Sequence, residues 1–333
     1  MKKILVWETL SLVSGGQRMT LTIMDMLKND YDFHCLIPKA GVLSAELDAR
    51  GIPYTLLGDQ TMPTGIKGKK LVFRYSWLSV KAIVKGFDTI LKYKPDMLYA
   101  PGPAALPWSA ICGTLAKRPV VWHLHHIFLD RATKKLLNFC GGFRSVKKII
   151  AVSNVVGAQI TNPKTAEKKI TLYNPVDFPK FSSGDGQKIL DELKIDRTNK
   201  IIIGQVALLQ QLKRQDIVIQ TAGALKQAGY DVRVLLVGRA RDEDTAYVTQ
   251  LRESIAQAGM AEDVFIMGQR SNMPDIMSAV DLIMIPSSFE GFPLAGLEAI
   301  SAGCPVLAAD IGGSRELIEV SGAGECFKLD DVG

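Results

Sequence analysis

Short apolar runs alternate with longer amphipathic segments along the first half of the chain. Runs of three to five apolar residues are typical of buried parallel strands, and apolar positions spaced three and four apart indicate the helices that cover them. The pattern predicts a parallel sheet covered on both faces. The predicted strands are Ile4–Trp7, Phe33–Ile37, Tyr54–Leu57, Met97–Tyr99, Val120–His123 and Ile149–Ala151.

The same rhythm restarts in the second half, after residues 161–181, where three prolines lie among polar and charged residues. We interpret this stretch as a hinge between domains 1–174 and 175–333. The sequence therefore predicts an α/β protein built from two Rossmann-like domains. The second set of predicted strands is Ile201–Ile203, Val232–Val237, Val264–Met267, Leu282–Ile285 and Val306–Ala308.

Composition is that of a globular protein in a reducing compartment. A length of 333 residues suits two domains, and the five cysteines form no Cys-x-x-Cys pair, which argues against a disulfide framework or structural zinc. The longest uncharged run, residues 97–116, contains three prolines and is predicted as a strand, a turn and a buried helix rather than a membrane span. The apolar run at the start of the chain is too short to form the core of an export signal peptide. A cytoplasmic location is expected.

The net charge of +6 conceals a strong asymmetry between the two halves. Residues 1–174 hold 25 Lys and Arg against 11 Asp and Glu, which gives +14, and residues 175–333 carry −8. The densest basic stretch is residues 61–95, whose apolar positions we expect to face the domain core. Its basic residues would then dock on an anionic membrane surface, and the alternative is a solvated basic face without a partner. The basic residues are Lys67, Lys69, Lys70, Arg74, Lys81, Lys85, Lys92 and Lys94, and the apolar positions are Trp77, Val80, Val84, Phe87 and Leu91.

The window 281–316 places a buried strand, a polar turn and a helix of small residues in succession. Pro293 is predicted at the first helical position, which gathers backbone N–H groups around Gly291, Phe292 and Leu294. Such a helix start favours anions. The small residues that follow are expected to let a large phosphorylated ligand approach the helix. These residues are Ala295, Gly296, Ala299 and Ala302.

Charged residues flank this predicted anion site. Glu290 precedes the helix and Glu298 lies inside it, so the pair could hold two hydroxyl-bearing parts of one ligand, as in a sugar nucleotide. Lys213 and Arg214, after the strand at Ile201–Ile203, could neutralise a diphosphate. The alternative is that all four side chains are ordinary solvated charges.

The ordered string of residues in this window resembles the donor-site signature of glycosyltransferase family 4, the retaining GT-B enzymes. The resemblance implies that Glu298 holds the ribose, that Glu290 holds the sugar hydroxyls, and that Lys213 with the helix start holds the diphosphate. The matching residues are Ser287, Glu290-Gly291-Phe292-Pro293-Leu294, Leu297-Glu298-Ala299, Gly303, Pro305-Val306, Gly312-Gly313 and Glu316, with Asn174-Pro175-Val176-Asp177 between the halves.

The first half resembles the family less densely. Gly15 and Gly16, between the first strand and helix, correspond to the glycine pair that lines the family's cleft. A histidine after the strand at Val120–His123 faces the donor sugar in the family, and His125 takes this role here, with His123 as the alternative. A zinc site at these histidines is not expected, because no further ligands stand at suitable spacing.

Two features depart from the family or compete with it. Gln205 stands where the family has an arginine, so Arg214 or Arg239 is expected to supply that charge. The sequence Asp242-Glu243-Asp244 contains the metal motif of the other large glycosyltransferase fold, but its place at a helix start explains the acidic residues without a metal.

The resemblance implies a GT-B enzyme that transfers a hexose from a UDP or GDP sugar to a glycan or polyprenyl-linked acceptor, with retained configuration. Synthesis of a bacterial surface polysaccharide or glycolipid would use such an enzyme. No metal, cofactor or nucleic acid is expected to take part. The alternatives are a sugar-nucleotide epimerase of the hydrolysing type and a non-catalytic binding protein. Because the family usually continues with helices that cross back to the first domain, the natural chain is expected to extend beyond Gly333.

Overall fold

The computed structural model describes residues 1–58, 69–240 and 244–329, and of residues 69–76 it describes the backbone alone. Internal contacts divide the chain into two units, Met1–Asn174 and Pro175–Gly333. Each unit contains one parallel sheet with helices on its faces, which confirms the predicted α/β architecture.

The first unit contains a seven-stranded sheet with the strand order β3-β2-β1-β4-β5-β6-β7. Its strands are β1 (Lys2–Trp7), β2 (Tyr31–Ile37), β3 (Tyr54–Leu56), β4 (Met97–Ala100), β5 (Val120–Leu124), β6 (Val146–Ala151) and β7 (Lys169–Thr171). Its helices are α1 (Gly15–Leu27), α2 (Val42–Ala49), α3 (Lys69–Tyr93), α4 (Ala105–Leu115), α5 (Arg131–Gly141) and α6 (Asn154–Ala158), and a 3-10 turn spans Pro163–Lys168.

The second unit contains a six-stranded sheet with the order β10-β9-β8-β11-β12-β13. Its strands are β8 (Lys200–Val206), β9 (Asp231–Val237), β10 (Val264–Gly268), β11 (Leu282–Ile285), β12 (Val306–Ala309) and β13 (Gly324–Phe327). Its helices are α7 (Phe178–Ser182), α8 (Gln187–Leu193), α9 (Gln215–Gln227), α10 (Thr245–Gln257), α11 (Met273–Ala279), α12 (Leu294–Ser301) and α13 (Gly312–Ser321), and a 3-10 turn spans Gln211–Lys213.

Alternation along the central strands builds a core on both faces of each sheet. In β9, Leu235 and Val237 pack into one buried cluster, whereas Val234 and Leu236 pack into the other. This is the two-residue period of a strand covered on both faces, which requires an almost continuous apolar sequence.

Both sheets reverse their strand order at one place. The reversal lies between β1 and β4 in the first sheet and between β8 and β11 in the second. Loops that leave the carboxyl ends of two such neighbouring strands diverge to opposite sides of the sheet, which opens a crevice where open α/β sheets bind ligands.

Several predicted boundaries differ from the observed ones for identifiable reasons. The division after Asn174 lies inside the predicted hinge 161–181, but this stretch also includes β7, a three-residue edge strand too short to stand out from its polar neighbours. The strand predicted to end at Ile203 continues to Val206, so Gln205 lies in a strand rather than in a loop. The short strand β13 was not predicted.

The apolar stripe of α3 does not face the core. Trp77, Val80 and Val84 are all more than half exposed, and Leu91 is exposed as well. The buried side of α3 instead carries small residues such as Ala82 and Gly86. The helix packs so closely there that a Cβ at Gly86 would lie 2.1 Å from the ring of Trp7. Among the residues that the structure describes, no helix is both long enough and apolar enough to cross a membrane.

Candidate active site

The loops after β8 and β11 are joined by two polar contacts at the strand-order reversal of the second unit. The backbone N–H of Ser288 donates to the carbonyl of Leu212 at 2.9 Å. The ammonium of Lys213 contacts the Glu290 carboxylate, with 2.5 Å between Nζ and Oε1. Both side chains are largely buried, at 21% and 14% exposure, so this ion pair is shielded more than a surface pair.

Two glutamines hold the loop that carries Lys213. The Gln205 side-chain amide donates to the carbonyl of Lys213 at 2.6 Å, and that of Gln215 donates to the carbonyl of Leu208 at 2.9 Å. The Tyr247 hydroxyl donates to Gln215 Oε1 at 2.9 Å, and burial raises the pKa of Tyr247 to about 12. Gln205 therefore binds a backbone carbonyl and presents no charge to a ligand. No sequence pattern predicted this network.

The two arginines expected to replace the missing charge lie in different surroundings. Arg214 has a left-handed backbone with φ of 50° at the N-cap of α9. Its guanidinium pairs with Asp216 at 3.0 Å on the same helix. Arg239 is exposed after β9.

Helix α12 begins at Leu294, one residue later than predicted. Pro293 is the N-cap, with an extended backbone at ψ of 115°, rather than the first helical residue. The loop before it packs against the start of α13, where the N–H of Gly313 donates to the carbonyl of Glu290 at 3.0 Å. A Cβ at Gly313 would lie 1.9 Å from the Gly291 carbonyl oxygen, so this approach requires glycine.

The small residues of α12 serve the protein core, which corrects the prediction that they admit a ligand. A Cβ at Gly296 would lie 2.4 Å from Leu317 and 3.1 Å from Ile285. Ala299 is fully buried, and Ala295 and Ala302 pack against the same cluster. Residues of α13 and β11 pack so closely against α12 that larger side chains would not fit at these positions.

Glu298 is not a solvated helical charge. Its side chain lies in α12 and only 7% of the residue is exposed, and Glu316 in α13 is buried to the same extent. Burial of a carboxylate costs several kcal/mol unless the charge is paired or hydrogen-bonded. Glu298 is a buried carboxylate in the helix that follows the Glu290 loop, and this placement makes it a candidate functional group.

The histidines of the first unit form a stacked group at the end of β5. His123 lies inside the strand, its Nδ1 is 2.5 Å from the Tyr99 hydroxyl, and its ring centroid is 4.1 Å from that of His125. A Cβ at Gly16 would lie 3.9 Å from the ring of His125. The structure thus brings the glycine turn that begins α1 together with His125, while His123 lies behind them.

Burial keeps both of these rings uncharged at neutral pH. It lowers the pKa of His123 to about 4, and burial with the neighbouring His123 and His126 holds the pKa of His125 well below its usual value. The Nε2 atoms of His123 and His125 are buried without a hydrogen-bond partner among the described residues. His125 thus carries a ring nitrogen that a ligand could use.

No group of three or more His, Cys, Asp or Glu side chains in residues 1–58, 69–240 and 244–329 could hold a metal ion. Of the Asp-x-Asp motif, Asp242 and Glu243 lie outside the described residues, and Asp244 is the N-cap of α10.

The chain consists of two Rossmann-like units with parallel sheets, the architecture of the GT-B glycosyltransferases. Residues 187–332 match the family model described as Glycosyl transferases group 1. The match lies within the second unit and includes Lys213, Glu290 and Glu298, so this unit is similar to the group 1 glycosyltransferases.

Curated relatives carry glycosyltransferase names. The chain is 30% identical over 176 residues to the lipopolysaccharide core biosynthesis mannosyltransferase LpsB of Rhizobium meliloti, an alignment that spans 53% of this chain and about half, 48%, of that enzyme. It is 24% identical over 352 residues to the UDP-Gal:alpha-D-GlcNAc-diphosphoundecaprenol alpha-1,3-galactosyltransferase of Escherichia coli, covering 99% of this chain and 85% of that enzyme.

A solved structure shares the fold over the whole chain. The Anabaena protein HepE, solved in complex with UDP and glucose, superimposes with a TM-score of 0.82 at 25% identity, covering 100% of this chain and 87% of that one.

We predict that His123 resists protonation in the folded protein. Because its folded pKa lies near 4 and its unfolded value near 6.5, the unfolded state binds more protons between these values, so the first unit loses stability as pH falls through this window. Urea unfolding of the wild type and of His123→Gln at pH 7 and pH 5 measures the effect. The wild type is expected to lose more stability than the variant, and an NMR titration of His123 with a midpoint near 6.5 would contradict the prediction.

Proposed function

We propose that the protein is a retaining glycosyltransferase that transfers a hexose from a UDP or GDP sugar to a glycan or polyprenyl-linked acceptor. The contact that carries the proposal is the ion pair between Lys213 and Glu290, which joins the loops after β8 and β11. The buried Glu298 lies in the helix that follows Glu290. A cation, an acceptor for hydroxyls and a second buried carboxylate match the three parts of a sugar nucleotide.

The diphosphate is assigned to Lys213 and the start of α12. A unit-charge pair at about 4 Å, with an effective dielectric near 20, contributes roughly 4 kcal/mol. The positive end of the α12 dipole adds a smaller attraction. A bound diphosphate would compete with Glu290 for the Lys213 ammonium, which would release the Glu290 carboxylate to accept hydroxyl groups of the sugar. Gly291, Phe292, Pro293 and Leu294 form the backbone that borders this position.

The ribose is assigned to Glu298, and the transferred sugar to Glu290. In the first unit, a neutral His125 can exchange a hydrogen bond with a sugar hydroxyl without adding a positive charge. In the retaining mechanism that the family implies, the leaving phosphate deprotonates the acceptor on the same face. Arg214 completes the proposed donor site of the second unit.

The E. coli relative supports a lipid-linked acceptor, because its name gives a diphosphoundecaprenol substrate. The HepE complex with UDP and glucose supports UDP as the nucleotide of the donor. The alternatives are a hydrolysing epimerase and a non-catalytic binding protein. A transferase releases UDP from the donor only when an acceptor is added, which distinguishes it from both.

We also propose that α3 docks the first unit on the anionic inner face of the cell membrane, where a lipid-linked acceptor is presented. The exposed Trp77, Val80 and Val84 lie beside Lys81 and Lys85, and the Lys81 ammonium is 5.1 Å from the centre of the Trp77 ring. An exposed apolar stripe flanked by lysines suits a membrane interface. Of the other basic residues invoked from the sequence, Lys67 and the side chains of Lys69, Lys70 and Arg74 lie outside the description.

The donor assignment predicts a selective loss of nucleotide affinity. Charge-assisted hydrogen bonds contribute about 1.5 to 3 kcal/mol each, so Glu298→Gln, which keeps the shape but not the charge, is expected to weaken UDP or GDP binding about tenfold to a hundredfold. Calorimetry in the presence of EDTA measures this, because the proposed site uses no metal. Lys213→Met is expected to weaken binding of the nucleoside diphosphate while leaving binding of the nucleoside unchanged.

The matched control is Glu253→Gln, which removes an exposed carboxylate from α10 in the same unit. The control is expected to bind like the wild type. Unchanged affinity in Glu298→Gln, with the fold intact by circular dichroism, would show that the ribose is held elsewhere.

The membrane proposal predicts salt-sensitive binding to anionic vesicles. Each basic residue near such a surface contributes about 1 kcal/mol, so replacing Lys81, Lys85 and Lys92 with Gln is expected to reduce partitioning about a hundredfold. Trp77→Gln with Val84→Gln is expected to weaken binding at high salt too, because that part is apolar. Co-sedimentation with vesicles of phosphatidylglycerol and phosphatidylcholine measures both.

Phe139→Gln serves as the control, because Phe139 is an exposed apolar residue on α5. Equal recovery of the wild type with neutral and anionic vesicles at low salt would remove the proposal and leave a soluble acceptor.

A further inference from the structure

Glu8 is a buried carboxylate directly after β1, at the strand-order reversal of the first sheet. Only 1% of the residue is exposed. Burial raises the pKa of Glu8, while hydrogen bonds from Gln17, Thr20 and Thr9 oppose that rise. Burial of a carboxylate is costly, and a buried carboxylate whose hydrogen bonds are satisfied can hold the surrounding backbone in one conformation.

Both side-chain donors to Glu8 come from α1. The amide of Gln17 donates to Oε2 at 3.0 Å, and the hydroxyl of Thr20 lies 2.7 Å from Oε1. The two carboxylate oxygens are thus divided between residues one turn apart, so Glu8 fixes both the position of α1 and its rotation about its axis.

Gln17 passes this constraint on to the glycine turn. Its Oε1 accepts from the Ser14 hydroxyl at 2.5 Å and faces the Ser14 backbone N–H at 3.4 Å. One side chain therefore joins the buried carboxylate of Glu8 to the residue before Gly15. The spacing Ser14-x-x-Gln17 is that of a capping box, a sequence signal for the local contact but not for its link to Glu8.

The turn fixed in this way is the one that packs on His125. Gly16 lies against the ring of His125, and its carbonyl is 3.2 Å from the Thr20 hydroxyl that also contacts Glu8. Gly15 and Gly16 provide no side chains of their own to hold their position, so the conformation depends on residues before and after them.

We propose that Glu8 and Gln17 are positioning residues that fix the Ser14–Gly16 turn against His125 in the conformation needed for sugar transfer. The effect on catalysis rests on the proposed function, whereas the effect on the turn does not. Glu8 touches neither donor nor acceptor in this account and acts only through Gln17 and Thr20.

The test uses a break and a repair of the same connection. Gln17→Met keeps the length of the side chain but removes both of its hydrogen-bonding ends. The double variant Glu8→Gln with Gln17→Glu reverses the polarity of the connection. Its new carboxylate accepts from Ser14 and from the new amide, whose oxygen accepts from Thr20, so the side-chain contacts among Glu8, Gln17, Ser14 and Thr20 are retained.

Amide hydrogen exchange of residues 14–18 measures how often the turn opens, and the measurement needs no substrate. Exchange is expected to be about tenfold faster in Gln17→Met and close to wild type in the double variant. In transfer assays, kcat of Gln17→Met is expected to fall about tenfold with less than about twofold change in KM for the donor, and the double variant is expected to recover. Thr22→Ala, which removes a hydroxyl from another face of α1, is the control expected to match the wild type in both measurements.

Each result decides a separate part of the proposal. Wild-type exchange in Gln17→Met would overturn the positioning role, whatever the activity. Faster exchange with unchanged kcat would overturn the catalytic part, and failure of the double variant to recover would assign the loss to packing. If the wild type transfers no sugar, the proposed function fails, while exchange still decides whether Glu8 and Gln17 hold the turn.

Discussion

The reversal of strand order in each sheet is the constraint on which the rest of the structure depends. Parallel strands place all their carboxyl ends at one edge, and only between β1 and β4, and between β8 and β11, do the connecting loops diverge. Glu8 and the glycine turn follow β1, Lys213 follows β8, and Glu290 follows β11. The chemistry-bearing residues of each unit therefore gather at a place that topology opens, whatever their separation in sequence.

Within the second unit, uncharged groups determine where the charges lie. Gln205 and Gln215 bind carbonyls of the loop that carries Lys213, and Gly313 allows α13 to close on the loop that carries Glu290. Preorganised charge is effective because little reorganisation is needed when the ligand arrives. The first unit uses the same approach, with Gln17 between Glu8 and the turn beside His125.

The sequence predicted the parallel α/β architecture and the family, because apolar runs report buried strands and the window 281–316 holds an ordered set of residues. It could not predict which face of α3 is buried, since Trp77, Val80 and Val84 have the spacing of a core stripe, whereas the close approach of Gly86 to Trp7 shows that another face is buried. The small residues of α12 were assigned to ligand approach, although the same residues also allow close packing. The hydrogen bonds of Glu8, Gln205 and Gln215 were missed because contacts between distant residues leave no periodic signal.

The decisive measurement is a crystal structure of the protein with an unhydrolysed UDP or GDP hexose. We expect diphosphate oxygens within about 3 Å of Lys213 Nζ, at the start of α12. We also expect the ribose hydroxyls on Glu298, and Glu290 released from Lys213 to contact the sugar. A nucleotide bound in the first unit, or in the second unit with the Lys213–Glu290 contact intact and Glu298 untouched, would contradict the proposed donor site.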